Sequence, residues 1–201
     1  MTRAPTHIPY GRQSLDEGDI EAVVEVLRGD WLTQGPTVKR FEEALAKRCG
    51  AVHAVAVANG TVALQLAYMA AGLGPGDEGL TSPITFLASA TAMVACGAEP
   101  SFADVKEGQW TLDPALVESK IKSNTKVLVP VDFAGLPCDL EALREIADRR
   151  GLTIISDSCH SIGGELGGKP VGGTGLAEMT CFSFHPVKTI TTGEGAQSSP
   201  T

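Results

Sequence analysis

Three short segments set reactive side chains where an apolar run ends. The first is Phe182-Ser183-Phe184-His185-Pro186-Val187-Lys188, in which an apolar run starting near Met179 gives way to a serine and then a lysine. A lysine held in a partly desolvated site loses its proton readily; its amine can then form a Schiff base with a carbonyl and shuttle protons to and from carbon. A solvent-exposed lysine is the competing reading. The second is Asp157, directly after Leu152-Thr153-Ile154-Ile155-Ser156. A carboxylate there can keep a proton on the ring nitrogen of a heterocyclic cofactor, or it can be an ordinary cap or surface acid. The third is Asn59-Gly60-Thr61, between an apolar run ending at Ala58 and a helical run starting near Val62. Free backbone N–H groups and the helix dipole favour a phosphate there, and a plain N-cap explains the same residues.

Ligands of open α/β sheets bind beyond the carboxyl ends of the parallel strands, so the surrounding elements decide whether these segments can meet. Ser14-Leu15-Asp16-Glu17 has capping-box spacing ahead of Ile20, Val23, Val24 and Leu27, with Gly29 placed to stop that helix. A second helical pattern through Val38, Phe41, Leu45 and Ala46 runs to Gly50. From there strands at 53–58, near Leu80, at 100–103, 127–131 and 152–155 and from 179 alternate with helices at 62–71, 86–96, 114–121 and 140–149. Such alternation predicts an α/β fold of three layers, a mostly parallel sheet with helices on both faces. The glycine-rich stretch 163–175 reads as a surface turn region. Gly163-Gly164-Glu165-Leu166-Gly167-Gly168-Lys169-Pro170 approaches a phosphate-binding loop of the Walker A kind, but Pro170 stands where a Ser or Thr would ligate Mg²⁺ and cannot donate an N–H. Ala196-Gln197-Ser198-Ser199-Pro200-Thr201 departs from the apolar strand expected after Gly193-Glu194-Gly195.

The 201 residues carry 43% hydrophobic and 20% charged side chains and a net charge of −8, which suits a folded domain and argues against nucleic acid as a partner. Neither a secretion signal nor a membrane-spanning stretch is read from the sequence, so the expected location is cytoplasmic. Five scattered cysteines without a C-x-x-C pair suggest reduced thiols, with neither a disulfide framework nor a metal site.

The segments are more specific together than singly. Asn59-Gly60-Thr61, Ser82-Pro83-Ile84-Thr85-Phe86, Pro130-Val131-Asp132-Phe133-Ala134-Gly135, Asp157-Ser158-Cys159-His160 and Phe182-Ser183-Phe184-His185-Pro186-Val187-Lys188 with Thr191-Thr192-Gly193-Glu194-Gly195 resemble, in order and spacing, the DegT/DnrJ/StrS sugar aminotransferases. That family has the fold type I architecture and uses pyridoxal 5'-phosphate (PLP). The resemblance implies that Lys188 is the Schiff-base lysine, that Asp157 pairs with the pyridine nitrogen and that Phe86 stacks on the ring. It further implies that Gly60, Thr61 and Ser183 hold the phosphate and that His160 lies against the other face of the cofactor, although a core or capping role would equally explain this histidine. His7, His53 and His185 are read as structural or exposed. A dehydratase branch of the family carries histidine in place of the lysine, so Lys188 favours transamination.

Ile8-Pro9-Tyr10-Gly11-Arg12-Gln13-Ser14 and Asp30-Trp31-Leu32-Thr33-Gln34-Gly35-Pro36 most resemble the pseudaminic-acid branch, which aminates C4 of a UDP-linked 4-keto-6-deoxy-N-acetyl sugar. Tyr10, Trp31 and Thr33, with Ser183, are then candidates for the sugar pocket; packing roles explain Tyr10 and Trp31 equally well. The implied amino donor is glutamate. By the resemblance, residues 1–35 form an N-terminal helical arm and substrate-side segment, and residues 36–201 form the PLP-binding large domain. Family members continue further, so a small C-terminal domain, and the residues a second subunit contributes to a homodimeric site, are expected to be absent. The alternatives are a PLP-binding chain without turnover and an aminotransferase for a different nucleotide keto sugar.

Overall fold

The computed structural model describes residues 11–200. Tyr10 and His7 therefore lie outside the described residues. Helix α1 (Glu17–Arg28) starts from Asp16, not Ser14: the Asp16 carboxylate accepts from the Asp19 N–H at 3.0 Å, and the Asp19 carboxylate accepts from the Asp16 N–H at 3.1 Å. Two aspartates three residues apart satisfy both orphan donors, so the cap settles two residues later than the Ser14 reading. None of the α1 residues is buried. Helix α2 (Pro36–Cys49) does enter the core through Leu45, Ala46 and Cys49 and ends at Gly50 in the left-handed conformation.

The alternating part follows as β1 (Val55–Val57), α3 (Gly60–Ala70), β2 (Glu78–Thr81), α4 (Ala88–Ala95), β3 (Glu99–Phe102), α5 (Pro114–Val117), β4 (Thr125–Val129), α6 (Leu140–Arg150) and β5 (Thr153–Asp157). Then come β6 (Glu165–Leu166), β7 (Lys169–Pro170), β8 (Met179–Ser183) and β9 (Ala196–Pro200). A single 3-10 turn continues α5 over Glu118–Lys120. The main sheet has the order β1-β9-β8-β5-β4-β2-β3. The pairs β3/β2, β2/β4, β4/β5 and β5/β8 are parallel, and β9 runs antiparallel to both β8 and β1.

Side chains alternate across this sheet, as the period of two requires. Val127, Val129, Ile155 and Cys181 pack on one face beneath α3 and α4 with Leu64, Tyr68 and Met93. Leu128 and Ile154 pack on the other face with Leu143, Ile146 and Val117 of α6 and α5. Phe182 and Phe184 extend that second face under Leu45 and Cys49 of α2. The result is the three-layer α/β/α arrangement expected from the alternation.

Two segments depart from expectation. The tail is a strand: β9 pairs along its length with β8 and through Ala196–Ser198 with β1. Ladder hydrogen bonds come from the backbone, so a strand flanked on both sides forms without the β-branched residues that would announce it. The glycine-rich stretch is only partly surface turn. Gly167 and Gly168, both at positive φ, make the tight turn of the β6–β7 hairpin, while Val171 is buried against Phe182 and Leu45.

Candidate active site

The three segments singled out first, and the stretch through Phe86, arrive at the carboxyl end of a strand. Asn59, Gly60 and Thr61 follow β1; Thr85, Phe86 and Ala88 follow β2; Val131 follows β4; Asp157, Cys159 and His160 sit at the end of β5; Ser183, His185 and Lys188 end or follow β8. These residues, with Leu64, Val187 and Glu194, line a cavity of about 450 Å³. That volume suits a small-molecule cofactor or substrate. Among the described residues no group of three or more His, Cys, Asp and Glu side chains is placed to hold a metal ion, and no helix is long and apolar enough to cross a membrane.

On one wall, the Asn59 side chain takes the N–H of Val62 at 3.0 Å. Gly60 and Thr61, the first two residues of α3, line the cavity at the helix N-terminus, where the helix dipole favours an anion. A Cβ on Gly60 would lie 3.3 Å from both Cys159 Sγ and Ser183 Cβ, so the backbone approaches this wall as closely as glycine permits.

The adjoining side is polar and buried. Asp157 is the last residue of β5, inside the strand rather than after it, and is only 5% exposed. Ser89 Oγ donates to its Oδ2 at 2.6 Å, and the Cys159 N–H approaches Oδ1 at 3.3 Å. Among the described residues no Lys, Arg or His forms an ion pair with it. Burial and then the Asp157 charge push the Cys159 thiol well above its ordinary value, so this thiol stays protonated. His160 Nδ1 accepts the N–H of Ala134 at 3.3 Å, which leaves the proton of the neutral ring on Nε2. Burial and then the positive charge of Lys188 hold this imidazole below its ordinary value, so it is neutral at pH 7.

The loop carrying His160 is braced from beneath. Asp132 is 1% exposed; its carboxylate accepts from Ser158 Oγ and Ser161 Oγ, each at 2.7 Å, and from the Cys138 N–H at 3.0 Å. Burial raises its pKa, and the three donors offset part of that cost. Lys188 lines the cavity with no hydrogen bond or ion pair from its amine to another described residue. Its neighbours His185 and Glu194 face each other at 3.8 Å between Nε2 and Oε1.

The structure thus brings Lys188, Asp157, Gly60, Thr61, Phe86, His160 and Ser183 to one cavity. It does not bring Trp31 and Thr33 there: both are exposed on the stretch between α1 and α2, and neither lines the cavity. Phe86 lines the cavity yet is 65% exposed, on the short stretch before α4, which begins at Ala88 rather than at Phe86. The sequence reading gave no role to Ser89, Thr85, Cys159 or Glu194 and left His185 outside the site. For Ser89 no sequence signal was available, since its partner Asp157 is 68 residues away.

A family model for the DegT/DnrJ/EryC1/StrS aminotransferases matches residues 13–197. The chain belongs to this family. The UDP-4-amino-4-deoxy-L-arabinose–oxoglutarate aminotransferase of Shewanella sediminis is 39% identical over 189 residues, 94% of this chain and 48% of that protein. A solved structure of the Streptococcus pneumoniae sugar aminotransferase candidate Spr1654, in its PLP form, superposes with a TM-score of 0.93 at 32% identity, covering 96% of this chain and 53% of that one. Helicobacter pylori PseC, an aminotransferase of pseudaminic acid biosynthesis, superposes with a TM-score of 0.90 at 36% identity, covering 96% and 52%. The chain spans about half the length of these DegT/DnrJ/EryC1/StrS relatives.

Proposed function

We propose that this chain is the cofactor-binding large domain of a PLP-dependent aminotransferase that moves an amino group from glutamate to a nucleotide-linked keto sugar. The observation that carries the reading is the convergence of an unpaired lysine amine, a buried carboxylate and a helix N-terminus on one cavity at the strand ends. The donor set fits PLP. Lys188 would hold the aldehyde carbon, the N–H groups of Gly60 and Thr61 with the hydroxyls of Thr61 and Ser183 would hold the phosphate, and Asp157 would hold the ring nitrogen. When bound, PLP supplies an electron sink for the negative charge left when a C–H bond breaks.

The chain's own residues supply the rest. Asp157 keeps positive charge on the ring nitrogen because its carboxylate has no competing cation. Lys188 is placed to accept and return the proton at the reacting carbon, in the half-reaction with glutamate and in that with the sugar. Phe86 offers a flat apolar surface to the ring, and neutral His160 offers an Nε2 proton from the β5 side.

Within this reading the acceptor is C4 of a UDP-linked 4-keto-6-deoxy-N-acetyl sugar. PseC and the Shewanella enzyme support it, one by the pathway and the other by the UDP-linked 4-amino sugar in their names. Residues 1–35 are the substrate-side arm carrying Tyr10, Trp31 and Thr33, and 36–201 are the large domain. A homodimer is the expected state of a full-length form; Phe86 and Leu87, both strongly exposed beside the cavity, support a partner surface there. The test is borohydride reduction of the purified chain with PLP, followed by peptide mapping. A pyridoxyl group on Lys188 alone is the expected result; labelling spread over several lysines, or none at Lys188, overturns the reading.

A further inference from the structure

Asp157 is supported by a chain of hydroxyls that reaches back to the cavity. Ser89 is fully buried on α4 and does not line the cavity, yet its Oγ lies 2.6 Å from Asp157 Oδ2, across 68 residues of sequence. A helical serine ordinarily bonds a carbonyl of its own preceding turn, and Ser89 has such a neighbour in the Phe86 carbonyl at 3.3 Å. A hydroxyl has one proton, and the shorter bond to a charged acceptor takes it. Thr85 Oγ1 lies 2.6 Å from Ser89 Oγ. With the serine proton committed to Asp157, Thr85 is the donor of this second bond. Tyr68, itself fully buried, fixes the helix in place by donating to the Ser89 carbonyl at 2.8 Å.

We propose that Thr85 and Ser89 form a two-hydroxyl relay that aims Asp157 and keeps its charge available, which makes Ser89 a positioning residue for the ring nitrogen of the cofactor. The inference rests on the PLP reading above. A neutral donor on each carboxylate oxygen fixes the group without cancelling its charge, as a lysine or arginine would. Thr85 lines the cavity, so the relay runs from a hydroxyl that an occupant can touch to the carboxylate that would hold that occupant.

The test uses the chain loaded with PLP and compares wild type with Ser89→Ala, Ser89→Thr and Thr85→Val. Two quantities are read: the PLP dissociation constant, and the pH at which the absorbance of the bound chromophore titrates. Ser89→Ala is expected to weaken PLP binding about tenfold, the usual scale for one hydrogen bond to a charged group. It should also move the chromophore's titration to higher pH, because a poorly aimed Asp157 leaves less positive charge on the ring and the titrating group holds its proton longer. Thr85→Val should shift the titration the same way by less, and Ser89→Thr, which keeps the hydroxyl, should restore both quantities to within about twofold of wild type. Ser89→Ala that lowers only the melting temperature, with the titration unmoved, shows a packing role and overturns the relay. Wild-type chain that takes no label at Lys188 overturns the cofactor reading itself, a failure visible before any variant is made.

Discussion

Two carboxylates are buried at opposite ends of the same parallel sheet, and their partners differ. Glu78 opens β2 and is 1% exposed; Lys122 and Thr125 close around it, the threonine hydroxyl at 2.7 Å. Asp157 closes β5 and is 5% exposed, with a serine hydroxyl, a backbone N–H and an open cavity before it. Both are aligned by neutral donors, but only Glu78 has a cation. A buried acid whose charge is already matched holds strands together; one that is aligned and left unmatched, at the end of the sheet where ligands bind, reserves its charge for an occupant.

The largest effect expected from this contrast is at Lys188. Lys188→Ala should abolish the borohydride-fixed pyridoxyl peptide while leaving the melting temperature of the cofactor-free chain almost unchanged, since the amine makes no bond to lose. Next, Asp157→Asn should weaken PLP binding by roughly 10- to 100-fold in an equilibrium titration, the range for losing a hydrogen-bonded charge. Glu78→Gln should leave PLP affinity untouched and lower unfolding stability by about 1–3 kcal/mol in a denaturant titration. Equal effects of these two substitutions on PLP binding would erase the distinction between the two ends of the sheet.

A third buried polar group sharpens the comparison because it has neither kind of partner. The Gln197 side chain in β9 is 1% exposed, and neither its oxygen nor its nitrogen has a hydrogen-bond partner among the described residues. Gln197→Val should therefore raise stability by about 1–2 kcal/mol, read as a higher denaturant midpoint at constant slope. The smallest effect lies in acid. Burial raises the Glu78 pKa, but the hydrogen bonds from Lys122 and Thr125, with the Lys122 charge, outweigh it and hold the group below its ordinary 4.5. Its contribution is present in full above pH 4.5 and is lost as pH falls through the lower folded-state value. Stability of the wild type should fall in that window, and Glu78→Gln should flatten the fall.

The alternation of elements was legible because the strands are short apolar runs and the helices carry clear stops, Gly29 and Gly50 among them. Most of the cavity-lining residues were legible because they end or follow such a run, which is where a parallel sheet presents its ligands. β9 was not, since Ala196-Gln197-Ser198-Ser199-Pro200 is held by ladder bonds on two sides that leave no trace in side-chain type. Nor was Ser89: its partner is remote in the chain, and a serine in an apolar helix reads as a local back-bond. The stretch around Trp31 and Thr33 was read from resemblance alone, and this structure leaves both side chains outside the cavity.

The reversed strand has a consequence for the order of assembly. Among the described residues β1 is hydrogen-bonded to the sheet only through β9, so about three quarters of the described chain lies between Val55 and its partner Ser198. Contacts so distant in sequence close slowly, because a long loop must be gathered before any bond rewards it. The turn that follows β1 and carries Gly60 and Thr61 is thus among the last features to reach its place, and a folding intermediate can hold Asp157 on its parallel strand while the Gly60–Thr61 wall of the cavity is still missing. PLP added during refolding should accelerate only the final phase, which makes the cofactor a reporter of sheet closure.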